Sequence, residues 1–171
     1  MIKEYWKQFA SIIAWNHIGI VDYKLIDKTL YLQESNGIWD WACNLMALPI
    51  FSYGKWMHVG FSRQYARIRD VVLNNEIDTI VGYSLGGALA QIAAYDIYKQ
   101  KKKQVRIFVY GSPRPFVFGC KKLLNIHSVK LGRDIVTSVP FWHIPAKARI
   151  YRIGPKGNIF KDHGRYGEVL Q

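Results

Sequence analysis

Cysteine is scarce in this chain of 171 residues: Cys43 and Cys120 are the only two. Neither a CxxC pair nor a Cys/His spacing suited to zinc accompanies them, so the sequence indicates neither a disulfide framework nor a metal site. Both read as buried thiols. Long apolar runs are also missing. The N-terminus, Met1-Ile2-Lys3-Glu4-Tyr5-Trp6-Lys7, carries charge throughout, and nothing after it stays apolar long enough for a secretory leader or a membrane-spanning helix. The expectation is a soluble chain outside the secretory route, cytoplasmic or peripheral to a membrane. Acidic residues are the third shortage: 12 Asp and Glu stand against 24 Lys and Arg, a formal net charge of +12. That balance suits nucleic acid, an anionic membrane surface, or solubility alone. The densest run, Lys99-Gln100-Lys101-Lys102-Lys103, closes a helical pattern, where cations face the negative end of the helix dipole. No RNA- or DNA-binding signature occurs, and the aromatics are not interleaved with the basic run, which argues against nucleic acid.

What the chain has in quantity is apolar and aromatic side chains, half of its residues being apolar, among them 11 Tyr, 8 Phe and 6 Trp. Such a chain can bury a core, and no repeat, low-complexity tract or linker divides it. Residues 1–171 therefore read as a single domain. Ile2, Trp6, Phe9 and Ile13 recur at helical spacing. Runs Ile18–Ile26 and Thr29–Leu32 read as strands separated by a turn at Asp27-Lys28. Phe61, Tyr65, Ile68 and Val72 mark a helix, Ile77–Val81 a buried strand, and Leu85–Tyr98 a helix rich in Gly and Ala that can lie close to a sheet. Val105–Tyr110, Ser128–Leu131 and Ala148–Ile153 read as further strands, with helix after Asp162. Strands alternating with helices predict an α/β fold with a mainly parallel central sheet covered on both faces.

The strand Ile77–Val81 runs into Gly82-Tyr83-Ser84-Leu85-Gly86 and then a helix, the context in which G-x-S-x-G marks the nucleophile turn of the α/β-hydrolase fold. A sharp strand-to-helix turn strains the backbone at the serine and leaves room for only small neighbours, so the Ser84 hydroxyl projects above the sheet edge. The N–H of Leu85, at the helix start, is aimed at an oxyanion. A serine hydroxyl needs a base, and in this fold the chain order is Ser, acid, His. Asp134 follows the strand Ser128–Leu131. One more strand should separate acid from base, and only His163 lies beyond Ala148–Ile153, leaving His143 as a structural or pocket-wall residue. Asp162 competes with Asp134, but a carboxylate adjacent in sequence to the base is poorly placed to reach its Nδ1.

With those residues in place the sequence resembles the class 3, or fungal-type, lipase family over nearly its whole length. Four segments carry the likeness in order: Gly82-Tyr83-Ser84-Leu85-Gly86-Gly87-Ala88-Leu89-Ala90, with Tyr83 where His is commonest; Val109-Tyr110-Gly111-Ser112-Pro113-Arg114; Gly132-Arg133-Asp134-Ile135-Val136 with Val139-Pro140; and Asp162-His163-Gly164-Arg165-Tyr166. His58-Val59-Gly60-Phe61 is similar to a further family motif, with His58 in a structural role. The resemblance also implies that Leu32-Gln33-Glu34-Ser35 occupies the turn giving the second oxyanion donor, Ser35. Gln33-Glu34 stands there in place of the family's Arg-Gly. Residues 36–57, with Trp39, Trp41, Leu45 and Met46, correspond to a short apolar lid over the substrate, the alternative being a segment packed on the core in every state.

The resemblance implies a small form of the fold without a large cap domain and an acyl-transfer mechanism. Ser84 attacks a carboxylic ester of an acylglycerol or phospholipid, His163 takes the proton, Asp134 supports it, and Leu85 with Ser35 stabilises the oxyanion. No metal or organic cofactor is implied, and no obligate protein partner is evident. The partners expected are a lipid or other ester substrate and an anionic membrane surface. A phospholipase A or acyltransferase with the same triad, and a catalytically silent membrane-binding domain, are the alternatives.

Overall fold

The computed structural model describes residues 1–34, 48–123, 125–159 and 161–171. Ser35, Trp39, Trp41, Leu45, Met46 and Cys43 lie outside the described residues. Helix α1 (Ile2–Ala10) is followed by strands β1 (Asn16–Ile18), β2 (Val21–Ile26) and β3 (Thr29–Glu34), then the hairpin β4 (Pro49–Ser52) and β5 (Lys55–His58). Helix α2 (Val59–Asn74), strand β6 (Thr79–Tyr83), helix α3 (Leu85–Lys101), and strands β7 (Arg106–Tyr110), β8 (Ile126–Leu131) and β9 (Arg149–Ile153) come next. The chain closes on a 3₁₀ turn (Asp162–Arg165) and helix α4 (Tyr166–Leu170).

The main sheet has seven strands in the order β1-β2-β3-β6-β7-β8-β9. From β3 through β9 they run parallel, while β1 and β2 add antiparallel strands at one edge. One sequence run divides here. Ile18–Ile26 breaks at Gly19, whose φ of 65° makes a turn that folds β1 back on β2.

Alternation along the central strands assigns each side chain to one of two cores. Leu30, Leu32, Ile80, Ile107 and Val109 pack with Phe61, Tyr65, Ile68 and Val72 of α2 and the alanines of α3. Their neighbours Tyr31, Val81, Phe108 and Tyr110 face the other way, onto Trp6 and Phe9 of α1 and Tyr166 and Leu170 of α4. That two-residue period is the physical signature of a sheet buried on both faces. α3 is buried along nearly its whole first three turns, which its run of small residues permits. Cys120 is a buried free thiol.

The basic run ending α3 is committed locally. Lys101 donates to the carbonyl of Leu73 at 2.6 Å, and Lys99 to that of Tyr53 at 2.9 Å, tying α3 to the end of α2 and to the β4–β5 turn. Within residues 36–57, positions 49–57 form the β4–β5 hairpin, which leaves Phe51 and Trp56 largely exposed. Among the described residues no helix is long and apolar enough to cross a membrane.

The second core is mostly aromatic, and Trp6 is its hub. Its ring lies 5.4 Å from Phe9, 4.9 Å from Tyr110, 5.6 Å from Tyr83 and 6.0 Å from Tyr166. Replacing a buried ring of this size by a methyl group costs about 3–5 kcal/mol. Trp6→Ala should lose that much stability in urea denaturation. A loss below about 1 kcal/mol would show that α1 contributes no packing of consequence.

Candidate active site

Three parallel strands deliver the site. Strand β6 ends at Tyr83, and the chain enters α3 through a single residue, Ser84, with φ 52° and ψ −124°. Non-glycine residues rarely adopt positive φ, and this one is over-determined by what surrounds it. The Ser84 N–H donates to the Tyr110 carbonyl at 3.0 Å, and the Ser84 carbonyl accepts from Gly87 at 2.9 Å. Any side chain at Gly86 would collide with the backbone of Leu32 at the end of β3, and one at Gly82 with the backbone of Gly86. The helix can therefore start this close to the sheet only with glycine on both sides of the serine.

Asp134, the third residue after β8, caps the 3₁₀ turn Ile135–Ser138, its Oδ1 accepting from the Val136 N–H at 2.9 Å. Its Oδ2 accepts from the Tyr166 hydroxyl at 2.8 Å. His163, beyond β9, places Nδ1 2.9 Å from each of the two oxygens. Because a carboxylate only accepts, the Nδ1 carries a proton, and in the neutral ring Nε2 then presents the lone pair. Nε2 of His163 and Oγ of Ser84 are both buried and make no hydrogen bond among the described residues.

The imidazole is held from three sides. Tyr83, the residue before Ser84, stacks its ring on His163 at 5.3 Å and 15° and donates its hydroxyl to the His163 carbonyl at 2.7 Å. Tyr166 approaches edge-on at 6.2 Å. Gly111, at φ 59°, closes the third side, since a Cβ there would lie 2.7 Å from His163 Cε1. Burial first, and then the Asp134 carboxylate, raise the pKa of both Tyr83 and Tyr166, so both hydroxyls stay protonated and act as donors. Tyr83, Tyr166 and Gly111 fall inside the motif segments, yet the sequence assigns them no role. The available signal was spacing: Tyr166 follows His163 by three residues, one helical turn.

Asp162, the competing carboxylate, is occupied elsewhere. Its Oδ2 accepts from the Arg133 N–H at 2.7 Å and the Gly157 N–H at 3.0 Å, and Arg165 lies beside Oδ1. It clamps the residue preceding Asp134. His143 donates from Nδ1 to the Arg114 carbonyl at 2.8 Å, and burial lowers its pKa. Ser84, Asp134 and His163 are thus brought to the carboxyl ends of β6, β8 and β9, where ligands of open parallel sheets bind. Leu85 is the first residue of α3, whose N–H has no acceptor within the helix.

The sequence model described as "Lipase (class 3)" matches residues 51–144. The chain belongs to the class 3 lipase family. Among curated proteins this family member is 29% identical over 108 residues to a lipase of Rhizomucor miehei, covering 52% of the chain and 30% of that protein. It is 39% identical over 69 residues to "Phospholipase A(1) DAD1, chloroplastic" of Arabidopsis thaliana, covering 36% of the chain and 15% of that protein. The chain thus spans less than a third of the length of either. Among solved structures, the Rhizomucor miehei lipase propeptide complex superposes with a TM-score of 0.62 at 21% identity, over 83% of this chain and 56% of the other. A triacylglycerol lipase from Penicillium expansum gives 0.59 at 16%, over 85% and 70%. The class 3 lipase chain has the α/β-hydrolase fold that these neighbours share.

Backbone N–H donation, chiefly from Arg133, holds the Asp162 carboxyl pKa below its ordinary value of 3.8, with burial opposing. A depressed carboxylate pKa contributes stability above the unfolded value and loses it as pH falls through the folded one. The Tm of Asp162→Asn should therefore lie below that of wild type near neutrality, and the gap should narrow below about pH 4. A gap unchanged by acid would remove Asp162 from this role.

Proposed function

We propose that this protein is a serine ester hydrolase that cleaves carboxylic esters of lipids through an acyl-enzyme. The observation that carries the reading is the His163 imidazole, fixed by Asp134 with its Nε2 uncommitted and stacked on Tyr83, the residue before a serine held at positive φ between strand and helix. In the mechanism, Ser84 Oγ attacks the ester carbonyl while His163 Nε2 takes its proton. Asp134 keeps the ring in the required tautomer and stabilises the imidazolium. His163 then returns the proton to the departing alkoxide, and water enters by the same route to release the acid. Charge on the tetrahedral oxygen falls to the Leu85 N–H and to Ser35. Support for the second donor comes from the end of β3, which lies against the start of α3 at Gly86. Gln33 there is turned aside, its amide donating to Asp22 at 3.3 Å.

A phospholipid substrate is the second reading, favoured by the stretch similar to a phospholipase A(1). The segment 36–57 serves as the lid in either case, with exposed Phe51 and Trp56 on its described part.

Wild type should react covalently with a fluorophosphonate probe, and Ser84→Ala should not. His163→Ala and Asp134→Asn should each lower kcat/KM on a nitrophenyl ester by about ten-thousand-fold without loss of the folding transition. Folded wild-type protein that resists the probe would refute the catalytic reading. Mass spectrometry of products from acylglycerol and phospholipid panels separates the two substrates, and transfer of the acyl group to an alcohol would identify an acyltransferase.

A further inference from the structure

Beside the loop that carries Asp134 lies a cleft of about 500 Å³, lined by neither Ser84 nor His163. Five cations line it, Arg114, Lys130, Arg133, Arg152 and Lys156, and Asp134 is its one acid among the described residues. That acid is already spent on His163, Val136 and Tyr166. None of the five cations forms an ion pair with a described carboxylate. Among the described residues Arg114 donates to the carbonyls of Phe141 and His143.

The sheet itself forces two of these charges together. Lys130 on β8 and Arg152 on β9 are directly paired across the parallel ladder. Like charges facing each other across a sheet are unfavourable. Burial lowers the pKa of Lys130, and the repulsion of Arg114 and Arg152 adds to it. Positive charge is therefore concentrated where the one described carboxylate, Asp134, is already held by His163, Val136 and Tyr166, and a further anion would relieve it.

The donor set selects the kind of anion. Guanidinium groups present parallel N–H pairs that match phosphate oxygens, and an ammonium adds a point charge. Thr137 and Ser138 line the same cleft, with the Thr137 hydroxyl already donating to the Asp134 carbonyl at 2.9 Å. A single carboxylate would leave most of these donors unmet, whereas a phosphate offers several acceptor oxygens and up to two charges. The remaining wall is apolar: Phe141, 64% exposed, and Ile159, 38% exposed, leave room for the group that carries the phosphate. We propose that the cleft between Arg114, Lys130 and Arg152 is a binding site for a phosphate group, supplied either as a small phosphate ester or as the head group of an anionic phospholipid. The site is independent of the hydrolytic reading.

Ser84→Ala protein, which leaves the lipid intact, serves as the background. Calorimetric titration with inorganic phosphate and glycerol 3-phosphate at constant ionic strength reports the small ligands. Sedimentation with phosphatidylcholine vesicles, with and without phosphatidate, reports the head group. Binding of the small phosphates, or binding to the phosphatidate vesicles alone, supports the site and identifies its source. Arg152→Gln, on an exposed strand position, and Lys130→Met should each weaken that binding by about tenfold, as expected for loss of one charged hydrogen-bonding partner. Lys121→Gln, an equal change of net charge on an exposed turn, should leave it unchanged. Arg152→Gln decides the matter if Lys130→Met does not fold. No binding by either assay, equal weakening by Lys121→Gln, or capture of an oligonucleotide without either phosphate ligand would overturn the proposal.

Discussion

Everything in the candidate site depends on how closely α3 is seated against the sheet. The start of that helix abuts the carbonyl end of β3 at Leu32, a contact open only to glycine at position 86. With the helix so near, the chain has no room for a loop after β6, and Ser84 alone makes the turn at φ 52°. The cost of that backbone is met by the neighbours: Tyr110 accepts its N–H, and Gly87 closes on its carbonyl. Gly87 in turn lies against Ser112, which the buried Gln91 side chain holds at 2.8 Å. Close approach, strained turn and the position of the hydroxyl are one constraint seen at three places.

The histidine raises a different problem, because it comes from a short turn near the chain's end, far from the large core beneath α2 and α3. The aromatic core on the opposite face solves it. Trp6 packs against Tyr83, Tyr110 and Tyr166, and each of those rings carries a hydroxyl to a polar group: the carbonyls of His163 and Ile2 and the carboxylate of Asp134. Each tyrosine therefore buries apolar area and orients a polar partner with the same side chain. Asp162 adds the last restraint by holding the Arg133 N–H, so the loop before Asp134 and the turn bearing His163 are pinned to each other.

Charge follows a separate logic. The lysines that close α3 are occupied by backbone carbonyls, so the basic run conspicuous in sequence is local structure. The five cations of the cleft, none of them in an ion pair with a described carboxylate, are dispersed along the chain at positions 114, 130, 133, 152 and 156. They meet only because β8 and β9 pair in a register that sets Lys130 beside Arg152. Net charge left nucleic acid, an anionic membrane surface and solubility alone open, and the place where the positive charge gathers is a product of strand pairing.

How much could be read without coordinates differs element by element, for a physical reason. The alternation of β3, β6 and β7 and the helical spacing of Phe61, Tyr65, Ile68 and Val72 are local periodicities, and local geometry decides them. The glycines around Ser84 likewise state a steric condition within five residues. Chain order then singled out Asp134 and His163, because parallel strands deliver their carboxyl ends to one edge. Contacts between residues far apart in the chain carry no such local trace. The break at Gly19, the commitment of Asp162 to Arg133, the stacking of Tyr83 on His163 and the gathering of five cations each required the packed chain. Sequence by itself determined the alternating strands and helices and the serine turn, since those follow from steric and hydrophobic periods of a few residues. Tertiary structure alone decided which polar groups hold the imidazole and where the positive charge collects, since both depend on sheet register and on the docking of α1 and α4.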